Sequence, residues 1–221
     1  DLYELSETFS EVLPDNCAFI TDSGLIELIM PTNIRFRRTQ RCIHPSSQGS
    51  MGFALPGIVG SHFAYDQVVV SVVGDGSIMM NLQELQTIIY YDIPAKIFVI
   101  NNNVYAVIRK RQKDLFRSRS IGVDPSDGVS CPDFSEVAKC FGFKYRKIIS
   151  NVELTSNVSS VLETSGPVLC EIYGKEDQDY ITTSHARNKK GRFVYRPIED
   201  QYPFMDRKLF LNEMIVDPID Q

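Results

Sequence analysis

The chain has 221 residues, of which 43% are hydrophobic and 23% charged, with a net charge of −5 and a pI near 5.3. That length supports one substantial core, and the acidic balance argues against nucleic acid, whose phosphates need clustered Lys and Arg on one face. No apolar stretch approaches the roughly 20 residues that cross a bilayer, and the opening Asp1-Leu-Tyr-Glu-Leu-Ser-Glu7 lacks the basic and apolar regions of a signal peptide, so no membrane is expected and the cytoplasm is the expected compartment.

Leu5, Phe9, Val12 and Leu13 share one face of a first helix, and Ala18 to Asp22 reads as a strand. Phe53 to Phe63 reads as a helix. Val68 to Val73 and Lys96 to Ile100 are short, β-branched and uniformly apolar, the pattern of parallel strands buried on both faces. Between them Asn81 to Tyr91 carries Leu82, Leu85, Ile88 and Ile89 on one helical side. Val107 to Arg119 is basic and reads as a solvated helix face or loop; anion steering or a subunit contact is the other reading. Asp133-Phe-Ser-Glu136 has capping-box spacing, with Gly142 closing that helix. Lys144 to Ile149 and Val168 to Tyr173 complete the strands, with a helix over Val152 to Leu162 between them. The expected fold class is therefore α/β, a doubly wound, mainly parallel sheet with helices on both faces. Five cysteines, scattered and without a Cys-x-x-Cys pair, read as reduced and mostly buried thiols.

Two loops in this frame carry chemistry. Gly74-Asp75-Gly76 follows one buried strand, and Asn101-Asn102-Asn103 follows the next, with Asn102 lying 27 positions after Asp75. A right-handed crossover brings both loops to the same carboxyl edge of the sheet, where open α/β sheets bind ligands. A carboxylate oxygen, an amide oxygen and a nearby carbonyl are donors that Mg²⁺ accepts, leaving its other positions to phosphate and water. Gly74 and Gly76 allow a sharp turn with N–H groups near an anion, and Ser77 offers a further donor. The alternative is a tight turn and a plain strand end.

These residues resemble a family, the thiamine diphosphate enzymes acting on 2-oxo acids. Gly49-Ser-Met-Gly-Phe-Ala-Leu-Pro-Gly57, Gly74-Asp-Gly-Ser77, Asn81-Leu-Gln-Glu-Leu85, Ile100-Asn-Asn102 and Val107-Ile-Arg-Lys-Arg-Gln112 together look most like the carboxyl-terminal domain of acetolactate synthases, especially from Ser47 to Gln112. The resemblance implies thiamine diphosphate and Mg²⁺ as cofactors. Asp75, the Asn102 side chain and the Val104 backbone oxygen would hold the metal. Gly49, Ser50, Gly74, Gly76, Ser77 and Tyr105 would line the cofactor site, and Ser23 and Gly24 would reach phosphate oxygens through their backbone. Met51 matches the position that props the cofactor in a bent conformation; the other reading is a gap-filling core Met.

The chain also departs from that pattern. After Thr21-Asp-Ser-Gly24, acetolactate synthases usually continue Gln-His, whereas Leu25 and Ile26 stand here. Gln48 replaces a usual Leu, so it is either a substrate contact or a solvated loop residue. Residues 1–175 are expected to form the diphosphate-binding domain, and 176–221 an extended tail packing on the domain or on a neighbouring subunit, anchored by Phe204, Leu209, Phe210 and Leu211. His185 is as well explained by a surface position as by a substrate contact.

The family's activating glutamate comes from a pyrimidine-binding domain, and nothing matching that domain is present. The chain is therefore expected to be a fragment or one half of a split pair, a view that the Asp at position 1 favours, inactive alone and completed by a pyrimidine-binding domain or subunit in a homodimer or tetramer. The assembled enzyme would decarboxylate a 2-oxo acid such as pyruvate and ligate the product to a second carbonyl, as acetolactate synthase does. The departures look more like synthase-like proteins of surface-polysaccharide pathways. A simple 2-oxoacid decarboxylase, the diphosphate-binding subunit of a ferredoxin oxidoreductase and a non-catalytic assembly or regulatory module are the alternatives.

Overall fold

The computed structural model describes residues 1–65, 67–181, 185–187, 193–197, 199–201 and 203–218, without the side chains of 185–187 and 193. They form two compact units, Asp1–Gln178 and Asp179–Gln221.

The first unit alternates helices and strands: α1 (Leu2–Val12), β1 (Cys17–Thr21), α2 (Leu25–Asn33), β2 (Arg41–Ile43), α3 (Ala54–Ala64), β3 (Val68–Gly74), α4 (Asp75–Ile78), α5 (Glu84–Tyr90), β4 (Lys96–Asn101), α6 (Ala106–Leu115), α7 (Phe134–Phe141), β5 (Lys144–Ile148), α8 (Leu154–Glu163) and β6 (Val168–Tyr173). The sheet is six-stranded in the order β2-β1-β3-β4-β6-β5, and every neighbouring pair is parallel. This is the doubly wound α/β class that the apolar runs predicted.

The strands β1, β3, β4 and β6 bury both faces, which explains the uninterrupted apolar runs of β3 and β4. Ile20, Val69, Val73, Ile97, Val99 and Leu169 pack with Ala54, Leu55, Ile58, Leu85, Ile88, Phe134 and Ala138 of α3, α5 and α7. On the opposite face α1 packs on α2 and α8. There Phe9 meets Phe19 and Phe98 edge-on, with ring centroids 5.3 and 5.1 Å apart. Capping follows the sequence as well: Asp133 accepts from the N–H groups of Ser135 and Glu136, and Gly142 ends α7 in the left-handed conformation.

Three differences from the sequence reading have physical causes. The loop after β1 continues directly into α2, whose buried Leu25, Ile26, Ile29 and Met30 make it a core helix. The helix expected from Asn81 begins at Glu84, because the chain already coils at Asp75 as α4 and then passes through a 3-10 turn, Met79–Asn81. The three-residue strand β2, with Arg41 exposed, offers no apolar run to read.

The basic segment is helical as α6, yet Arg109 is not solvated: its side chain is 9% exposed and pairs with Glu176 at 2.6 Å, Asp177 at 2.7 Å and Asp124 at 3.5 Å. All five cysteines are free; Cys17 and Cys170 are buried and Cys140 is exposed.

The second unit contains the antiparallel pair β7 (His185–Arg187) and β8 (Phe193–Tyr195) and the helix α9 (Arg207–Glu213). Within it Asp200, 5% exposed, pairs with Arg196 at 2.8 Å and Arg207 at 2.6 Å. Phe210 is buried, whereas Phe204, Leu209 and Leu211 stay exposed. The His185 side chain, residues 188–192, Ile198 and Tyr202 lie outside the described residues.

Candidate functional site

The strand order reverses direction between β1 and β3, since β2 lies on one side of β1 and β4 on the far side of β3. Loops leaving such a switch point at the carboxyl edge diverge and open a crevice. A cleft of about 350 Å³ lies there, lined from β1 by Ser23 and Gly24, from β3 by Gly74, Asp75, Gly76 and Ser77, from β4 by Asn102, Val104 and Tyr105, and from the loop before α3 by Gly49 and Met51. Eleven of the sequence-selected positions are thus brought together by the topology. Ser50 and Gln48 sit on the same loop but are exposed and lie outside the lining.

Asp75 is the centre of this arrangement. It is 4% exposed, and its Oδ2 accepts from the backbone N–H of Asn103 at 2.7 Å and of Asn102 at 3.1 Å. Its Oδ1 accepts from the N–H of Gly76 at 2.8 Å. Asn103 takes a left-handed φ of 55°, which Asn tolerates better than most residues and which turns the β4 loop toward Asp75. Burial pushes the Asp75 pKa up, and the N–H donors of Asn103, Gly76 and Asn102 oppose the shift. Among the described residues the Asn102 Oδ1 makes only a long contact, 3.4 Å, with the Val104 N–H. Among the described residues no group of three or more His, Cys, Asp and Glu side chains is placed to hold a metal. A single carboxylate beside an amide oxygen and a backbone carbonyl fits a hard cation that completes its shell with phosphate and water.

The backbone around Asp75 is shaped for a close-lying anion. A Cβ on Gly76 would stand 2.2 Å from the Tyr105 ring, so the absence of a side chain at Gly76 lets that ring pack against the first turn of α4. Across the cleft Gly24 is the amino cap of α2 with φ at 90°, and among the described residues no side chain caps that end. The free N–H groups of this first turn and the helix dipole together favour an anion. Leu25 and Ile26 line the same wall while their side chains are buried, 7% and 3% exposed. Replacing polar side chains here leaves the anion-binding capacity of the backbone in place.

One residue essential to this geometry carried no local signal. Asp22 is fully buried; its carboxylate accepts from the N–H of Ser23 at 2.8 Å, Gly52 at 3.0 Å and Ala54 at 2.8 Å, and from the Ser77 side chain. It ties three of the cleft's loops together. Burial raises its pKa against these donors. Asn81 reinforces the link by donating to the Gly52 carbonyl at 2.9 Å. A second missed residue is Glu27, which lines the cleft from α2.

Comparison with known proteins decides the family. Residues 22–172 match the family described as thiamine pyrophosphate enzyme, C-terminal TPP binding domain. The chain belongs to that family. Its matched region begins at Asp22 and ends in β6, so it contains every loop of the cleft. Among curated relatives of this TPP-binding domain, the acetolactate synthase isozyme 2 large subunit of Escherichia coli (strain K12) is 31% identical over 169 residues, 76% of this chain and 30% of that protein. The acetolactate synthase large subunit of Pyropia yezoensis is 30% identical over 168 residues, 76% of this chain and 28% of that protein. The isozyme 3 large subunit of E. coli K12 is 33% identical over 148 residues, 66% of this chain and 25% of that protein. The chain thus spans less than a third of the length of these relatives. No helix among the described residues is long and apolar enough to cross a membrane.

Proposed function

We propose that this TPP-binding domain is the diphosphate- and Mg²⁺-binding half of an enzyme that decarboxylates a pyruvate-like 2-oxo acid and ligates the remaining unit to a second carbonyl. The observation that carries the reading is the buried Asp75 carboxylate, drawn to the β4 loop by the Asn102 and Asn103 N–H groups beside an uncapped helix start. Asp75, the Asn102 side chain and the Val104 carbonyl hold the metal. The α2 first turn, with Ser23 and Gly24, and the Gly74–Ser77 backbone hold the phosphate oxygens, and Met51 and Tyr105 flank the organic part. When bound, thiamine diphosphate supplies the nucleophilic carbon and the electron sink; the chain supplies orientation and electrostatics. A pyrimidine-binding domain or subunit completes the site with the activating glutamate, within a homodimer or tetramer of the complete enzyme.

Calorimetric titration of thiamine diphosphate with and without Mg²⁺ tests this reading. Metal-dependent binding that tightens with the pyrimidine-binding half, and that Asp75→Ala abolishes, supports it. Asp75→Ala protein that binds as well as the parent removes the metal role. Product analysis with pyruvate then separates a ligated product from the aldehyde of a simple decarboxylase.

A further inference from the structure

Glu27 is the third residue of α2 (Leu25–Asn33), where a glutamate commonly folds back to bond the amide that precedes the helix. Here the helix start has no side-chain cap. Among the described residues no hydrogen bond or ion pair reaches the Glu27 carboxylate, although it lines the cleft. Its Oε2 points instead toward the loop before α3, 3.8 Å from where a Cβ on Gly49 would stand. Leu25, Ile26 and Leu28 line the same cleft, the first two buried and Leu28 exposed. The Nδ1 of His44, whose charge acts on Glu27, is itself buried without a partner.

We propose that Glu27 is the proton donor that this chain supplies to the acceptor carbonyl during ligation, a role that rests on the functional reading above. The electron pair left by departing carbon dioxide forms the new C–C bond, and the C=O π pair of the acceptor moves onto its oxygen. Glu27 gives its carboxyl proton to that oxygen. The product carries a hydroxyl, and the Glu27 carboxylate regains a proton from water before the next turnover. A carboxyl group serves as an acid at neutral pH only when its surroundings favour the protonated form. Burial raises the Glu27 pKa, the His44 charge opposes the shift and the Asp22 charge adds to it. Asp75 and Arg111 line the same cleft and contribute to the field in which Glu27 titrates.

The test uses the holoenzyme loaded with thiamine diphosphate and Mg²⁺. Glu27→Gln is expected to lower kcat for ligation by about 10²-fold and to remove the alkaline limb of its pH profile. The Kd for thiamine diphosphate should change by less than about threefold, because the variant keeps the α2 backbone that faces the phosphates. Glu27→Asp should restore part of the rate. Carbon-13 NMR of the Glu27 carboxyl, which needs no variant, should show it titrating above its ordinary 4.5. Ligation that keeps its rate and its alkaline limb in Glu27→Gln overturns the proposal, as does a rise in Kd that accounts for the whole loss. Failure of the parent protein to bind thiamine diphosphate at all overturns the functional reading instead.

Discussion

The carboxylate of Asp22 accepts a hydrogen bond from the backbone N–H of Ala54 at 2.8 Å, joining the end of β1 to the first turn of α3 across 32 residues of chain. The same carboxylate holds the N–H of Gly52 and the Ser77 hydroxyl. Among the described residues no cation is paired with it, and these donors, with the Ser23 N–H, oppose the cost of burying its charge. Asp22→Asn replaces one acceptor with an N–H₂ that faces other donors, and unfolding by urea should show a loss of about 1–3 kcal/mol. Calorimetry on the same variant should show weaker cofactor binding, because the Gly49–Gly52 loop is released.

Asp22 also predicts a pH dependence. Burial raises its pKa above the ordinary 3.8, so the folded protein binds that proton more tightly than the unfolded chain. Stability linked to this group is fully present below pH 3.8 and declines as pH rises through the raised value. Denaturation curves from pH 3 to pH 8 should show this declining contribution in the parent and lack it in Asp22→Asn.

The contact between Gly76 and Tyr105 predicts a coupled pair. Gly76→Ala places a methyl group 2.2 Å from the Tyr105 ring and must push the ring or the loop aside. A loss of about 1–3 kcal/mol is expected, in the range of overpacked sites. In a Tyr105→Ala background the same change should cost much less. Additive effects in the double variant would contradict the contact.

Arg109 fastens α6 to the segment after β6 through Glu176 and Asp177, while the Leu2 N–H bonds Gln178 at 3.1 Å. Arg109→Met removes the buried guanidinium that these acceptors share. Faster hydrogen exchange at residues 176–178 and in α6 should follow, with a stability loss of about 1–3 kcal/mol. Unchanged exchange would place the fastening elsewhere.

The thiols should differ sharply in reactivity. Burial pushes Cys17 and Cys170 up to about 12, leaving almost no thiolate at neutral pH, whereas Cys140 is exposed. Mass spectrometry after brief alkylation at pH 8 should find Cys140 modified first, and Cys17 and Cys170 only after denaturation.

Where the fold was legible, one element's own pattern was enough. The uniformly apolar β3 and β4, the amphipathic α1 and the Asp133 cap each announce themselves within a few residues, because burial on one or two faces leaves a local period. The strand β2 is too short to carry a period, and the start of α2 was hidden by comparison with a pattern whose side chains it does not share. The burial of Arg109 leaves no local trace because its partners Asp124, Glu176 and Asp177 come from elsewhere in the chain.

The amino-acid order alone settled which donors exist and how far apart they lie: Asp75 and Asn102 on a strand-helix-strand unit, flanked by glycines that permit a close approach. Folding settled what surrounds them. Setting β1 beside β3 brings Asp22 to Gly52 and Ala54, puts the uncapped start of α2 opposite Asp75 and turns Glu27 into the cleft. Periodicity records only whether a residue is buried within its own element. Contacts between residues thirty positions apart depend on the order in which strands pack, and no short stretch of sequence carries that.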